Sequence, residues 1–243
     1  MTVLAHLSDL HLDGSPERAG RARRVVSYLC DLAGPLDAVV ITGDLADSGT
    51  AAEYTQVSDV LRPLHDRFPV LMCPGNHDVT PVFAEYLVPP QSAAVYGGVQ
   101  ILLADSSVPG ADDGLLSPSA LQWLDARLDA APETPALVGF HHPPAALSIP
   151  FVDAIGLRNP AALATVLSRH PQVAGVLAGH AHAAVSTTFA GVPLLVAPGV
   201  VSAAVLPWER ANAWSYQQDC VSLMFHVLTA GVITTHVRTV LIR

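Results

Sequence analysis

The chain has 243 residues, 51% hydrophobic and 14% charged, and its net charge of −9 includes 12 basic residues that are all arginine. That length suits one well-buried α/β domain over residues 1–243. The acidic balance excludes nucleic-acid polymers as partners, since they draw affinity from clustered Lys and Arg, and no apolar run reaches the roughly 18 residues that span a bilayer.

The first apolar run, Val3-Leu4-Ala5-His6-Leu7, has the length of a buried strand and leads into Ser8-Asp9-Leu10-His11. A start directly on a strand leaves no room for a signal peptide. Cys30, Cys73 and Cys220 are few, odd in number and mostly within apolar runs, as expected of buried thiols in a reducing compartment, so the reading is cytoplasmic. Ser15-Pro16-Glu17 has the order of an N-cap, a first-turn proline and a first-turn acid, and Val25, Val26, Leu29 and Leu32 continue a helix to Gly34. Its arginines, Arg18, Arg21, Arg23 and Arg24, read as a solvated face.

That helix crosses over to a second, parallel strand, Ala38-Val39-Val40-Ile41-Thr42, which ends in Gly43-Asp44-Leu45-Ala46-Asp47. Thr50 caps a helix through about Leu64, and a third strand, Pro69-Val70-Leu71-Met72-Cys73, delivers Pro74-Gly75-Asn76-His77-Asp78. The prolines and tyrosines from Thr80 to Gly98 predict a helical turn and loops. Val99 to Ala104 is another strand, and Asp105 at its end reads as structural.

Ser117-Pro118 opens a helix with Leu121, Leu124 and Leu128 on one face, before the strand Ala136 to Phe140 and the run His141-His142-Pro143-Pro144. Asn159-Pro160 repeats the device ahead of the strand Val173 to Ala178, which runs into Gly179-His180-Ala181-His182. Beyond it, Ala184 to Phe189, Pro193 to Val196, Val221 to Val227 and Val232 to Val240 are short β-like runs that predict antiparallel strands completing a second sheet packed on the first. Between Pro198 and Gln218, Trp208, Trp214 and Tyr216 read as core aromatics, with a substrate wall or an oligomer contact as the alternative. His65, His170, His226 and His236 fall outside these motifs, and His6 reads either as a core histidine or as a partner of the site.

Five strand ends thus each present Asp, His or Asn, an arrangement that points to one shared metal site rather than five turns. Carboxylate with imidazole suits Mn, Fe, Zn or Co, and the lack of thiolates argues against a structural zinc site. Asp9, His11, Asp44, Asn76, His141, His180 and His182 suffice for two divalent or trivalent ions. Two ions ~3.5–4 Å apart clamp a phosphoryl group and acidify a bound water, which is chemistry for phosphoester hydrolysis.

Asp9-x-His11, Gly43-Asp44-x-x-Asp47, Gly75-Asn76-His77-Asp78, His141-His142-Pro143-Pro144 and Gly179-His180-x-His182 resemble, in order, the five motifs of the calcineurin-like metallophosphoesterase superfamily. The double His and double Pro are most similar to class III cyclic-nucleotide phosphodiesterases and related glycerophosphodiesterases. The resemblance implies a four-layer α/β/β/α sandwich, with two mixed sheets flanked by helices. It implies that Asp9, His11 and His182 hold one ion, Asn76, His141 and His180 the other, and that Asp44 bridges them. His77 then contacts the phosphate and protonates the leaving oxygen, Asp47 and Asp78 orient histidines, and His142 stands behind the ligands. The implied reaction is in-line attack of a metal-bound hydroxide on a small anionic phosphodiester, 3′,5′-cyclic nucleotides first. Glycerophosphodiester or phosphomonoester hydrolysis and a non-catalytic metal-binding scaffold are the alternatives. Relatives of this kind are often oligomeric, so a homo-oligomer stays open.

Overall fold

The strand ends that carry the motifs belong to two different sheets. In the computed structural model, residues 1–209, 216–217 and 220–241 are described, with Tyr216, Gln217 and Cys220 described by backbone only. Strand β1 (Thr2–Leu7) leads through helix α1 (Pro16–Cys30) to β2 (Ala38–Thr42), then through α2 (Ala51–His65) to β3 (Val70–Cys73). These three strands are parallel neighbours, as the crossover helices require. The helices start where the sequence places them. The Ser15 side chain accepts from the Arg18 amide, and Thr50 and Glu53 form a reciprocal capping box.

The chain then passes to the second sheet by way of α3 (Thr80–Tyr86), β4 (Ser92–Tyr96) and β5 (Val99–Leu103). Strand β4 was not expected, because its half-exposed Ser92-Ala93-Ala94-Val95-Tyr96 has little apolar signal. It pairs antiparallel with β5 across a Gly97-Gly98 turn, where φ values of 57° and 80° require glycine. Helix α4 (Pro118–Asp129), β6 (Ala136–Gly139), the short α5 (Pro150–Ala154), α6 (Pro160–Leu167) and β7 (Val173–Ala178) follow. Asn159 does not cap α6 through its side chain. Its amide instead bonds both backbone groups of Leu116, at 3.1 and 2.8 Å, tying two loops together.

The C-terminal strands depart from expectation. Strands β8 (Val185–Phe189) and β9 (Val192–Val196) form a hairpin, and β9 joins the second sheet parallel to β7, not antiparallel. After a small ladder of β10 (Ala203–Ala204) with β11 (Tyr216–Gln217), β12 (Cys220–Thr229) and β13 (Val232–Leu241) return to the first sheet. There β12 pairs antiparallel with β1 in the register Thr2↔Leu228 to His6↔Met224. The sheets are therefore β13-β12-β1-β2-β3 and β4-β5-β6-β7-β9-β8, both mixed. The free side of β1 was the place left for β12, a pairing across more than two hundred residues that no local pattern encodes.

Strand periodicity builds the layers. Val39 and Ile41 point to α1 and α2, whereas Ala38 and Val40 point to the other sheet and meet Ile101, Leu103, Leu137 and Leu177. Both faces of the inner strands are buried, which is why they read as continuous apolar runs. Leu124, Leu128, Leu163 and Val166 cover the outer face of the second sheet. The result is the four-layer sandwich of helices, two sheets and helices, with the C-terminal ends of β1, β2 and β3 facing those of β6 and β7 across one seam.

Candidate metal centre

Each functional side chain sits where a strand stops and the chain turns sharply. Five of the seven expected ligands have left-handed backbone: Asp9 (φ 56°), His11 (42°), Asp44 (52°), His180 (69°) and His182 (49°). Such conformations cost on the order of 1–3 kcal/mol each and persist only where neighbours over-determine them. Here they do. The Asp9 amide donates to Gly43 O, the His11 amide to Asp44 O, the Val200 amide to Ser8 O and the His180 amide to Asp9 Oδ2. Glycine at 75 and 179 permits the close approach, since a Cβ there would overlap Asp44 Oδ1 and Ser8 Oγ respectively.

The seven side chains form two groups that share one oxygen. In the first, His11 Nε2 lies 3.1 Å from His182 Nε2, and His182 Nε2 lies 3.3 Å from Asp9 Oδ1. In the second, His141 Nε2 lies 3.1 Å from Asn76 Oδ1 and 3.2 Å from His180 Nδ1. Asp44 Oδ2 stands between them, 3.4 Å from His11 Nε2 and 3.3 Å from His141 Nε2. Donors each ~2.1 Å from a common cation are about 3.0–3.4 Å apart at ordinary coordination angles, so these spacings fit cation binding. Asp9 Oδ1 is buried and accepts no hydrogen bond, an arrangement that a cation would relieve. The donor set is the right one for a divalent metal, and Asp9, His11 and His182, or Asp9, Asp44 and His141, are close enough to share an ion.

The outward nitrogens of the rings are held in turn. His11 Nδ1 is 3.1 Å from Asp47 Oδ1, His141 Nδ1 donates to Thr42 O at 2.6 Å, and His182 Nδ1 is 2.9 Å from Ser202 Oγ. These contacts leave Nε2 facing the site in all three. Burial opposes ionisation of both Asp44 and His141, but their mutual attraction prevails. The Asp44 carboxyl is held well below its usual range, and His141 is raised to about 9. His180 is lowered to about 3 by burial and by the charge on His141.

His77 is exposed at the cavity, with Nδ1 2.7 Å from Asp47 O and its ring edge-on to His11 at 4.6 Å. It also shares a tight group with His11 and Asp44, so proximity alone does not separate it from the ligands. His142 is buried behind them, with Nδ1 2.8 Å from Ser106 Oγ and Nε2 3.2 Å from Asp112 O. Asp78 does not orient a histidine. Its carboxylate accepts from the amides of Leu45, Ala46 and Gly75 and from the Tyr54 hydroxyl, pinning the Asp44 and Asn76 turns together. Burial and the Asp44 charge raise its pKa to about 6. Asp105 is engaged by Ser107 and Thr80.

Several contributors escaped the sequence reading. Arg18 is not merely a solvated residue, since Nη1 bonds His11 O at 2.8 Å and Asp47 Oδ1 at 2.6 Å. Arg21 is buried and, like Arg18, lines the cavity above the cluster, whereas Arg23 and Arg24 are exposed. The signal was present in helical spacing, since positions 18 and 21 are three apart on one side of α1 whereas 23 falls opposite them. His6 bridges His226 Nε2 at 3.0 Å and Thr42 Oγ1 at 2.9 Å within the core, behind the Thr42 carbonyl that holds His141. Trp208 is exposed rather than packed in the core, and Trp214 and the Tyr216 side chain lie outside the described residues. Phe151, Ile155 and Val201 add an apolar portion to a cavity of about 710 Å³.

The model of the calcineurin-like phosphoesterase family matches residues 2–184. A glycerophosphodiester phosphodiesterase of Enterobacter lignolyticus is 34% identical over 218 residues, covering 82% of this chain and 77% of that protein. A cAMP/cGMP dual specificity phosphodiesterase of Mycobacterium tuberculosis is 33% identical over 211 residues, covering 80% and 66%. Among solved structures, a dimetal phosphatase from Danio rerio superposes with a TM-score of 0.70 at 18% identity, covering 100% of this chain and 99% of that one, which is a likeness of fold.

Proposed function

The chain belongs to the calcineurin-like phosphoesterase family and is a metal-dependent phosphodiester hydrolase, and from that premise we propose that its substrates are small phosphodiesters, 3′,5′-cyclic nucleotides foremost. One domain carries the whole site. Asp9, His11 and His182 would hold one cation and Asn76, His141 and His180 the other, with Asp44 between the two groups as the shared ligand. The observation that carries this reading is Asp44 Oδ2, equidistant within 0.1 Å from the Nε2 atoms of His11 and His141.

Cations held there supply Lewis acidity, neutralising charge on the phosphoryl group and lowering the pKa of water. Their identity falls among Mn, Fe, Zn and Co, the metals that mixed imidazole and carboxylate donors suit. Only Asp9 and Asp44 are carboxylates among the seven donors, so two divalent ions leave the site positive and suited to an anionic diester. His77 holds the reaction's mobile proton. Its Nδ1 faces the Asp47 carbonyl at 2.7 Å, which leaves Nε2 as the nitrogen that gives a proton to the departing alkoxide. Asp47 orients His11 and carries Arg18, which fixes the wall of α1 against the donors. The free thiols of Cys30 and Cys73 support a reducing, cytoplasmic setting, and among the described residues no helix is long and apolar enough to cross a membrane.

Glycerophosphodiesters are the second reading, supported by the 34% identity to the Enterobacter enzyme. The deciding experiment compares kcat/KM for cyclic AMP, cyclic GMP, glycerophosphocholine and a phosphomonoester on one metal-loaded sample. Preference for a cyclic nucleotide is expected, and preference for the monoester would overturn the diester reading.

A further inference from the structure

A line of polar side chains runs where the core should be apolar. On the face of the first sheet that meets the second, Leu4, Val40, Met224 and Leu228 are buried hydrophobic residues, yet His6, Thr42 and His226 on the same strands and the same face are fully buried too. Two imidazoles there lose their hydration, a cost that leucine or methionine in their place would not carry. They belong to one chain of contacts. Thr235 Oγ1 is 2.8 Å from His226 Nδ1, His226 Nε2 is 3.0 Å from His6 Nδ1, and His6 Nε2 is 2.9 Å from Thr42 Oγ1. The Thr42 hydroxyl donates to Ser8 Oγ at 3.0 Å, and the Ser8 hydroxyl donates to Thr42 O at 2.9 Å, the same carbonyl that takes the Nδ1 proton of His141.

The direction of every bond in this chain is fixed. Ser8 commits its hydroxyl proton to Thr42 O and accepts from the Thr42 hydroxyl, so Thr42 Oγ1 accepts in turn from His6 Nε2–H. A neutral His6 protonated at Nε2 accepts at Nδ1 from His226 Nε2–H, and His226 then accepts at Nδ1 from the Thr235 hydroxyl. Both rings are neutral, because burial holds each below its ordinary pKa, His226 at about 3. We infer that His6 and His226 are positioning residues for hydrolysis: with Thr42 and Ser8 they form a one-way hydrogen-bonded chain that holds the Thr42 carbonyl on His141 Nδ1 and keeps His141 Nε2 turned into its donor group. The chain crosses four neighbouring strands, β13, β12, β1 and β2, and ends two residues before Asp44. Glycine flanks its last members, at 43 and 179, where a Cβ would overlap His141 Nδ1 and Ser8 Oγ. Ser8 and His141 thus meet one carbonyl in a space with no slack, and a shift of Ser8 or Thr42 is passed to the ligand ring.

This role rests on the reading of His141 as a metal ligand, so the chain and the metal are measured separately. Imidazole nitrogen NMR spectra of the full-length, metal-free protein near neutral pH should show His6 and His226 uncharged and protonated at Nε2. Either ring protonated at Nδ1 instead would overturn the one-way chain. In His6→Leu, a zinc titration followed through the ring signals of His141 and His11 should show the His141 group weakened by about 10- to 100-fold, the usual effect of removing a partner behind a ligand. The His11 group should stay within about threefold of the wild type. His6→Gln, which restores a donor at the place of Nε2, should recover most of the loss. Replacing both rings, His6→Leu with His226→Leu, removes donor and acceptor together and should fold about as stably as the wild type, yet keep the zinc defect. At saturating zinc, kcat for a chromogenic diester should fall in the leucine variants while KM stays within about threefold. A double variant with wild-type zinc affinity, or a glutamine variant no better than leucine, would assign the pair to core packing and overturn the positioning role; if the double variant does not fold, the contrast of glutamine with leucine at position 6 decides alone. A wild-type protein that takes up no zinc at His141 would sink the parent reading of the metal centre on its own.

Discussion

The backbone amide of His77 donates to Asp44 Oδ1 at 2.9 Å. One oxygen of that carboxylate is thereby fixed by the residue proposed as the proton donor, and the other is left to face both donor groups. Acid catalysis and metal binding are coupled through a single side chain, and substitutions can pull them apart.

Asp44→Ala should remove both cations and all turnover, because its Oδ2 lies 3.4 Å from His11 Nε2 in one donor group and 3.3 Å from His141 Nε2 in the other. Asp44→Asn, which keeps an acceptor for the His77 amide, should lose at least one cation while folding normally. Elemental analysis reads the outcome, and an Ala variant that retains two metals per chain would contradict the bridging role.

His77→Ala should keep both metals yet slow hydrolysis by about 10²- to 10⁴-fold, the usual contribution of a positioned acid. The loss should be smaller for a nitrophenolate leaving group, which needs little help from a proton. Loss of metal in this variant would instead make His77 a ligand.

Tyr54→Phe removes the hydroxyl that donates to Asp78 at 3.0 Å and accepts from the Val79 amide at 2.9 Å. The buried Asp78 carboxylate and the Val79 amide then each lose a partner, with an expected cost of about 1–3 kcal/mol. Urea unfolding should show this as a lower midpoint at an unchanged slope. Because Asp78 ties the Asp44 turn to the Gly75 turn, metal affinity should weaken by about 10- to 100-fold as well.

Stability should depend on pH through His226, which burial lowers from 6.5 to about 3. Between those values the unfolded chain carries a proton on this ring and the native protein does not. Stability is therefore complete above pH 6.5 and erodes as pH falls toward 3. His6, also pushed down by burial and by His226, acts in the same direction. In chelator, so that metal release is excluded, His226→Gln should flatten the profile between pH 4 and 6 by up to about 1.4 kcal/mol per pH unit. Equal slopes in the two proteins would refute an uncharged native His226.

The strand ends and the helix starts were legible because they are local. Ser15, Thr50 and Ser117 announce helices within three residues, and unbroken apolar runs mark the inner strands, which are buried on both faces. Pairing across the chain was not legible. Nothing in Cys220–Thr229 distinguishes a neighbour of β1 from a neighbour of β9, since the choice depends on which edge stays open after the other strands have paired. The same limit hid Arg18 and Tyr54, whose partners Asp47 and Asp78 lie 29 and 24 residues away.

The donors come from two sheets that meet only through side chains such as Leu4, Val40, Leu71, Leu137 and Leu177. A slip of one layer over the other by an ångström would misplace His141, His180 and His182 relative to Asp9, His11 and Asp44, and errors of that size can cost a hundredfold in rate. Leu137→Ala, which touches neither donor group and does not border the cavity, should therefore impair turnover at temperatures where the protein is still fully folded. Greasy contacts deep between the sheets act here as the enzyme's alignment gauge.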